Sequence, residues 1–173
     1  MDLLSLTKVD ATLRPYLLEG DADSVSSTVA AWLEGGLAAR VVRGRKARTL
    51  QGLFDEFAAA LQFPTYFGEN RDAFDECIAD LEGLPRGNGY VVVIDEPAEL
   101  LAEESDAAFE WFAHSLASAA SQWAQPVEVG AWWDRPPVAF HVVLAGDRAR
   151  LEAESRRWAH VGLPGVAFGS AGN

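Results

Sequence analysis

The chain has 173 residues, of which 49% are hydrophobic and 23% charged, and a formal net charge of −12. The length suffices for one domain with a core plus extensions. The acidity argues against a phosphate-binding face for nucleic acid and against adsorption to anionic lipid, and it suits a basic partner drawn in over long range. A single cysteine, Cys77, rules out an intrachain disulfide and fits a reducing compartment. With no secretory signal and no run of ~20 apolar residues, the chain is expected to be cytoplasmic, away from the membrane.

Residues 1–36 read as a helical N-terminal extension. Leu3, Leu4 and Leu6 give a short apolar start, and Pro15 interrupts the segment after them. Ser24 is placed to cap a helix carrying Val25, Val29, Trp32 and Leu33, and Gly35-Gly36 stops it. Ala38 to Val42 has the short apolar character of a strand. Arg40, Arg43, Arg45, Lys46 and Arg48 then form a basic run, which is more often a solvated loop than a phosphate site. Thr49 can cap a helix whose apolar face is Leu53, Phe54, Phe57, Ala60 and Leu61, closed by Phe63-Pro64.

Next comes a turn, Tyr66-Phe67-Gly68-Glu69, in which Gly68 is expected to supply backbone freedom. Asn70 is a good N-cap for a helix reaching Leu81. At about 100° per residue, Phe74, Cys77, Ile78 and Leu81 share one face. Asp72, Asp75, Glu76 and Asp80 occupy the other, within roughly 140°. Asp72 suits the first turn of any helix. Glu76 and Asp80 do not. Asp72, Glu76 and Asp80 succeed one another at spacings of four, where like charges cost a few tenths of a kcal/mol per pair. A helix face that lowers its own stability points to a function. Cys77, on the apolar face, reads as a buried core thiol.

Tyr90-Val91-Val92-Val93-Ile94 lacks alternation and fits a strand buried on both faces. A helix from Ser105 or Asp106 to about Trp123 comes next, with Phe109, Phe112, Leu116 and Ala120 facing inward. Trp132-Trp133 lies in a loop bounded by Gly and Pro, as an accessory contact or as a cover for the core. Val138 to Leu144 is the third strand. A helix from about Asp147 to Trp158 and an irregular Gly-rich end complete a C-terminal extension, residues 148–173. The order β-α-α-β-α-β predicts an α/β domain at 37–147 with a small three-stranded parallel sheet flanked by helices, and helical additions at both ends. His114, His141 and His160 are widely spaced, and no pair shows metal-ligand spacing. The acidic helix lacks the Gly-turned loop of a calcium site and has no neighbouring nucleophile. No cofactor, metal or catalytic residue is expected.

The stretch Phe63-Pro64-Thr65-Tyr66-Phe67-Gly68-Glu69-Asn70-Arg71-Asp72-Ala73-Phe74-Asp75-Glu76-Cys77-Ile78 resembles the barstar family of intracellular ribonuclease inhibitors. The Pro, the aromatic pair, Gly-Glu-Asn, Asp-Ala and an acid before Cys stand in the family's spacing without a gap. The similarity extends more weakly over about 37–147. It implies a barstar-like fold whose turn and second helix enter the active site of a basic ribonuclease, the carboxylates standing in for RNA phosphates. Tyr66, Asn70 and Asp72 match interface positions, and Glu76 takes the place of the family's dominant aspartate. Phe67, Gly68, Asp75 and Asp80 complete the expected partner-binding set. Asp75 stands where the family has a tryptophan, and Glu76 is one methylene longer than its counterpart. Both departures bear on which partner is bound more than on how. The expected function is inhibition of a basic, extracellular-type ribonuclease or a related cationic toxin, as an antitoxin or immunity protein. The alternative is a regulatory interaction module of the same fold with no nuclease target.

Overall fold

The computed structural model describes residues 3–170. Residues 1–2 and 171–173, the outermost parts of the two extensions, lie outside the described residues. The apolar run at Tyr90 becomes β3 (Tyr90–Asp95), buried from Tyr90 to Ile94 as a strand covered on both faces must be. On its two sides lie β2 (Ala38–Arg43) and β4 (Phe140–Gly146), both parallel to it, with Ala38 and Phe140 opposite Tyr90. These are the three expected strands. The sheet does not end there. β1 (Tyr16–Glu19) pairs parallel to β4, and β5 (Val166–Ser170) pairs parallel to β1. The sheet therefore has five strands rather than three, in the order β2-β3-β4-β1-β5. The two added strands come from segments expected to be helical or irregular.

Side chains alternate across the sheet and define two cores. On one side Val91, Val93, Val143 and Ala145 pack with Val25, Val29 and Trp32 of α2 (Ala22–Glu34) and Leu6 of the single turn α1 (Leu3–Leu6). On the other, Val92, Ile94, Val142 and Leu144 meet α3 (Leu50–Leu61), α4 (Arg71–Asp80), α5 (Asp106–Trp123) and α6 (Arg148–His160). The cap of α2 is Asp21, not Ser24. Its carboxylate accepts from the Ser24 backbone N–H at 2.9 Å and from the Ser24 hydroxyl at 2.6 Å. Thr49 caps α3 as expected, accepting from the Gly52 N–H at 3.1 Å. His141, buried on β4, has its Nε2 2.9 Å from the Lys8 carbonyl and its ring centroid 5.6 Å from that of Tyr16. Both contacts join the N-terminal segment to the sheet.

Candidate functional site

Helix α4 begins just after Asn70, which keeps an extended backbone and caps the helix with its side chain. Its Oδ1 accepts from the Ala73 N–H at 2.9 Å and its Nδ2 donates to the Gly68 carbonyl at 3.1 Å. A cap of this kind is worth about 1 kcal/mol. The turn before it differs from expectation in one respect. The left-handed residue is Glu69 (φ 48°), not Gly68. Gly68 matters for space: a Cβ there would stand 2.9 Å from Asn70 Nδ2, against the cap itself. Glu69 is tied to α3 by Gln51, whose Nε2 donates to Glu69 Oε2 at 3.0 Å. Phe67 is half-buried, edge-on to Phe63 and Phe54 with centroids 5.1 and 5.9 Å apart, so it anchors the turn. Tyr66 points out, 76% exposed, and its hydroxyl donates to Glu82 Oε1 at 3.2 Å.

The inner face of α4 is fixed by aromatic packing. The Phe74 ring lies 5.2 Å from Phe57, 5.5 Å from Trp111 and 5.9 Å from Phe63, all near edge-on, which suits their quadrupoles. Ile78 is buried beside it, and its carbonyl accepts from the Trp123 indole N–H of α5 at 3.1 Å. Arg71 lies over the Trp111 ring at 5.0 Å. Cys77 is half-buried, short of the core position expected for it. Burial and the carboxylates of Asp80, Glu76 and Glu82 push its thiol pKa up, away from nucleophilic use.

The outer face carries Asp72, Asp75, Glu76 and Asp80, all exposed. They are not equivalent. Asp75 faces α5, where the Ser115 hydroxyl donates to its Oδ1 in a short hydrogen bond. Asp72, Glu76 and Asp80 enter no ion pair among the described residues. Asp80 has its pKa raised, first by partial burial and then by Glu82 beside it. Glu82 is an addition to the expected site residues. It lies beyond the helix end, where no periodicity marks it, and only the fold brings it to Tyr66, sixteen residues earlier in the chain.

Seven arginines elsewhere in the chain are engaged by carboxylates. Arg43 forks onto Glu56 with Nε–Oε1 2.7 Å and Nη2–Oε2 3.0 Å. Glu56 is only 8% exposed, and Arg43 is the first cause that holds its carboxyl below the usual range. Arg45 pairs with Glu96 at 2.8 Å, and Arg48 pairs with Glu99 and Glu103. Arg43, Arg45 and Arg48 of the basic run are thus held internally by carboxylates. Among the described residues, no group of three or more His, Cys, Asp or Glu could hold a metal ion.

A groove of about 930 Å³ opens at the C-terminal end of α4. Glu76, Asp80 and Glu82 line it on the helix side, and Trp132 and Trp133 line it from the loop before β4. Trp132 is 85% exposed and Trp133 50% exposed. They do not cover the core.

Among solved structures, the chain is similar in fold to Cdc6p from Pyrobaculum aerophilum, at 16% identity and a TM-score of 0.52, over 90% of this chain and 38% of that one. It is similar also to a Walker-type ATPase of Pyrococcus abyssi, at 14% identity and a TM-score of 0.50, over 91% of this chain and 48% of the other. The chain thus spans less than half the length of either. At these identities the likeness is one of fold. No Gly-x-x-x-x-Gly-Lys-Ser/Thr phosphate loop occurs in the sequence. The link from β1 to α2 is Gly20-Asp21, with acidic Asp21 and Asp23 at the helix start where a phosphate would sit. No curated protein matches the sequence. The profile of the family described as Barstar (barnase inhibitor) matches residues 37–145, which run from the start of β2 through α4 almost to the end of β4. That span is well over half of the chain and contains the capped turn and acidic helix whole, so the chain belongs to the Barstar (barnase inhibitor) family.

Proposed function

We propose that the chain is a cytoplasmic protein inhibitor that blocks the active site of a basic ribonuclease, or of a related cationic toxin, with the outer face of α4. One observation carries this reading. Among the described residues, Asp72, Glu76 and Asp80 are exposed and enter no ion pair, while seven arginines elsewhere are paired with carboxylates. Three carboxylates at spacings of four destabilise an isolated helix slightly, and a cationic cleft would relieve that repulsion. Tyr66 adds an exposed aromatic edge beside them, of the type enriched at binding hot spots. Asn70 acts through the cap, since its amide is occupied on both sides. The surface is preorganised: Phe74, Ile78 and the Trp123 bond hold the helix before any partner arrives, so little ordering cost attends binding.

The test is inhibition of barnase, the ribonuclease in the family's description, followed by calorimetry of the same pair. Glu76→Ala is expected to weaken binding by at least ~2 kcal/mol, about 30-fold. Tight inhibition that survives this substitution would move the centre of the site away from α4. Failure of the unaltered chain to inhibit barnase or any other basic ribonuclease would defeat the reading.

A further inference from the structure

The loop between α5 and β4 is built to hold its tryptophans in place. Val127 and Arg135 exchange backbone hydrogen bonds of 2.8 and 3.0 Å. Asp134 accepts from the Val129 and Gly130 N–H groups at 3.0 and 2.8 Å, which closes the turn. Arg135 then locks the loop onto α5. It lies 4.2 Å over the Trp123 ring and donates to the Gln125 carbonyl at 2.9 Å. The rings of Trp132 and Trp133 meet edge-to-face, 5.4 Å apart and at 87°. The braced loop displays these rings to solvent, with Trp132 85% exposed. Leaving that much apolar surface in water is unfavourable at roughly 25 cal/mol per Å².

Across the groove stand Glu76, Asp80 and Glu82. Two cations also line it. Arg135 is committed to its own loop, and Arg86 leaves the three acids in the majority. The groove therefore joins three properties: an acidic wall, an open pair of indoles and continuity with the face of α4.

We propose that the groove between the end of α4 and the Trp132–Trp133 loop receives an arginine or lysine side chain of the basic partner, its stem lying along the indoles and its charged head meeting Asp80 and Glu82. The nature of the partner rests on the inhibitory role proposed for α4; the groove's preference for a cation rests on its own lining. Long cationic side chains suit such a slot because an aliphatic stem covers apolar surface while the head stays near charge. The indole faces add cation–π attraction, which strengthens when water is displaced. Partial burial first, and then the Glu82 carboxylate beside it, push the Asp80 pKa up, and a cation seated between the two acids would offset both effects.

The full chain is titrated with a tetra-arginine peptide amide at physiological salt and followed by two-dimensional NMR. A Gly-Ser peptide of equal length is the control. The indole N–H signals of Trp132 and Trp133 and the backbone amides of Asp80 and Glu82 are expected to shift and saturate with the arginine peptide alone. The double variant Trp132→Ala, Trp133→Ala should weaken that binding about threefold or more. The exposure of both side chains lets the fold survive, which circular dichroism checks. Asp80→Asn with Glu82→Gln should weaken it too. Shifts confined to Asp72 and Glu76, equal shifts with the control, no saturable shift, or undiminished binding by the double tryptophan variant would overturn the proposal. Barnase inhibition with Glu76→Ala probes α4 separately. Tryptophan shifts without inhibition of barnase or any other basic ribonuclease would uphold the groove and reject the α4 reading, and the converse would reject the groove alone.

Discussion

Asp75 and Glu76 are adjacent in sequence and differ in what the fold does with them. The Asp75 carboxylate already accepts a hydrogen bond from Ser115 on α5, whereas Glu76 enters no ion pair among the described residues. Asp75 thus serves first to fasten α4 to its neighbour, a task its sequence position could not reveal because Ser115 is forty residues away. Sequence spacing puts both acids on the same arc. The structure separates them by giving one a partner at the edge of that arc. Asp75→Asn keeps an oxygen that can accept from the Ser115 hydroxyl, so it should change stability by less than ~1 kcal/mol. It should also weaken ribonuclease binding far less than Glu76→Ala. Asp75→Ala removes the acceptor and should cost about 1 kcal/mol in urea-induced unfolding. A loss of binding from Asp75→Asn equal to that from Glu76→Ala would show that Asp75 leaves Ser115 to meet the partner.

Helix α4 is legible in the sequence because its signals are local. Asn70 caps it, Phe74 and Ile78 recur at helical spacing, and the acids fill the remaining arc. β3 is legible for the same reason, as five apolar residues in a row. β1 and β5 are not. Tyr-Leu-Leu-Glu after Pro15 is too short to declare itself, and Val-Ala-Phe-Gly-Ser carries a glycine that weakens any strand. Both become strands by pairing, β1 against β4 and β5 against β1, and pairing is invisible to a reading of one segment at a time. The groove is partly legible: the tryptophan pair stands out, but its position opposite Asp80 does not. The stiffness of α4, by contrast, can be tested directly. Phe74 is fully buried among Phe57, Phe63 and Trp111, and Phe74→Ala should cost about 3–5 kcal/mol of stability. Its helix should then exchange amide protons faster than β3 does, and inhibition should weaken although no contacting side chain has changed. Unchanged protection of the α4 amides would mean that the cap and the Trp123 bond suffice to hold the helix.

The family match stops at residue 145, and the fold does not. Residues 37–145 contain β2, β3 and nearly all of β4, with α3, α4 and α5 on one face. On the opposite face they present Ala39, Val91, Val93, Val143 and Ala145, which α2 and Leu6 cover in the whole chain. β1 hydrogen-bonds along β4, so its removal would also leave β4 as an open edge, with buried apolar side chains suddenly in water. β5 would lose its strand partner, since it pairs with β1. The N-terminal segment is further joined at His141, through the Lys8 carbonyl and the Tyr16 ring. We therefore expect a chain cut to residues 37–147 to associate, or to unfold without a sharp transition, although it retains the complete acidic helix. Its binding to ribonuclease should fall with it, because α4 is held by α5, and α5 packs on the sheet that has lost a layer. Thermal unfolding by circular dichroism, with sedimentation to report association, checks this. A monomeric fragment with a sharp transition near that of the full chain would instead make residues 1–36 an appendage on an autonomous domain. Ribonuclease binding by such a fragment would further confine the function to the segment between β2 and β4.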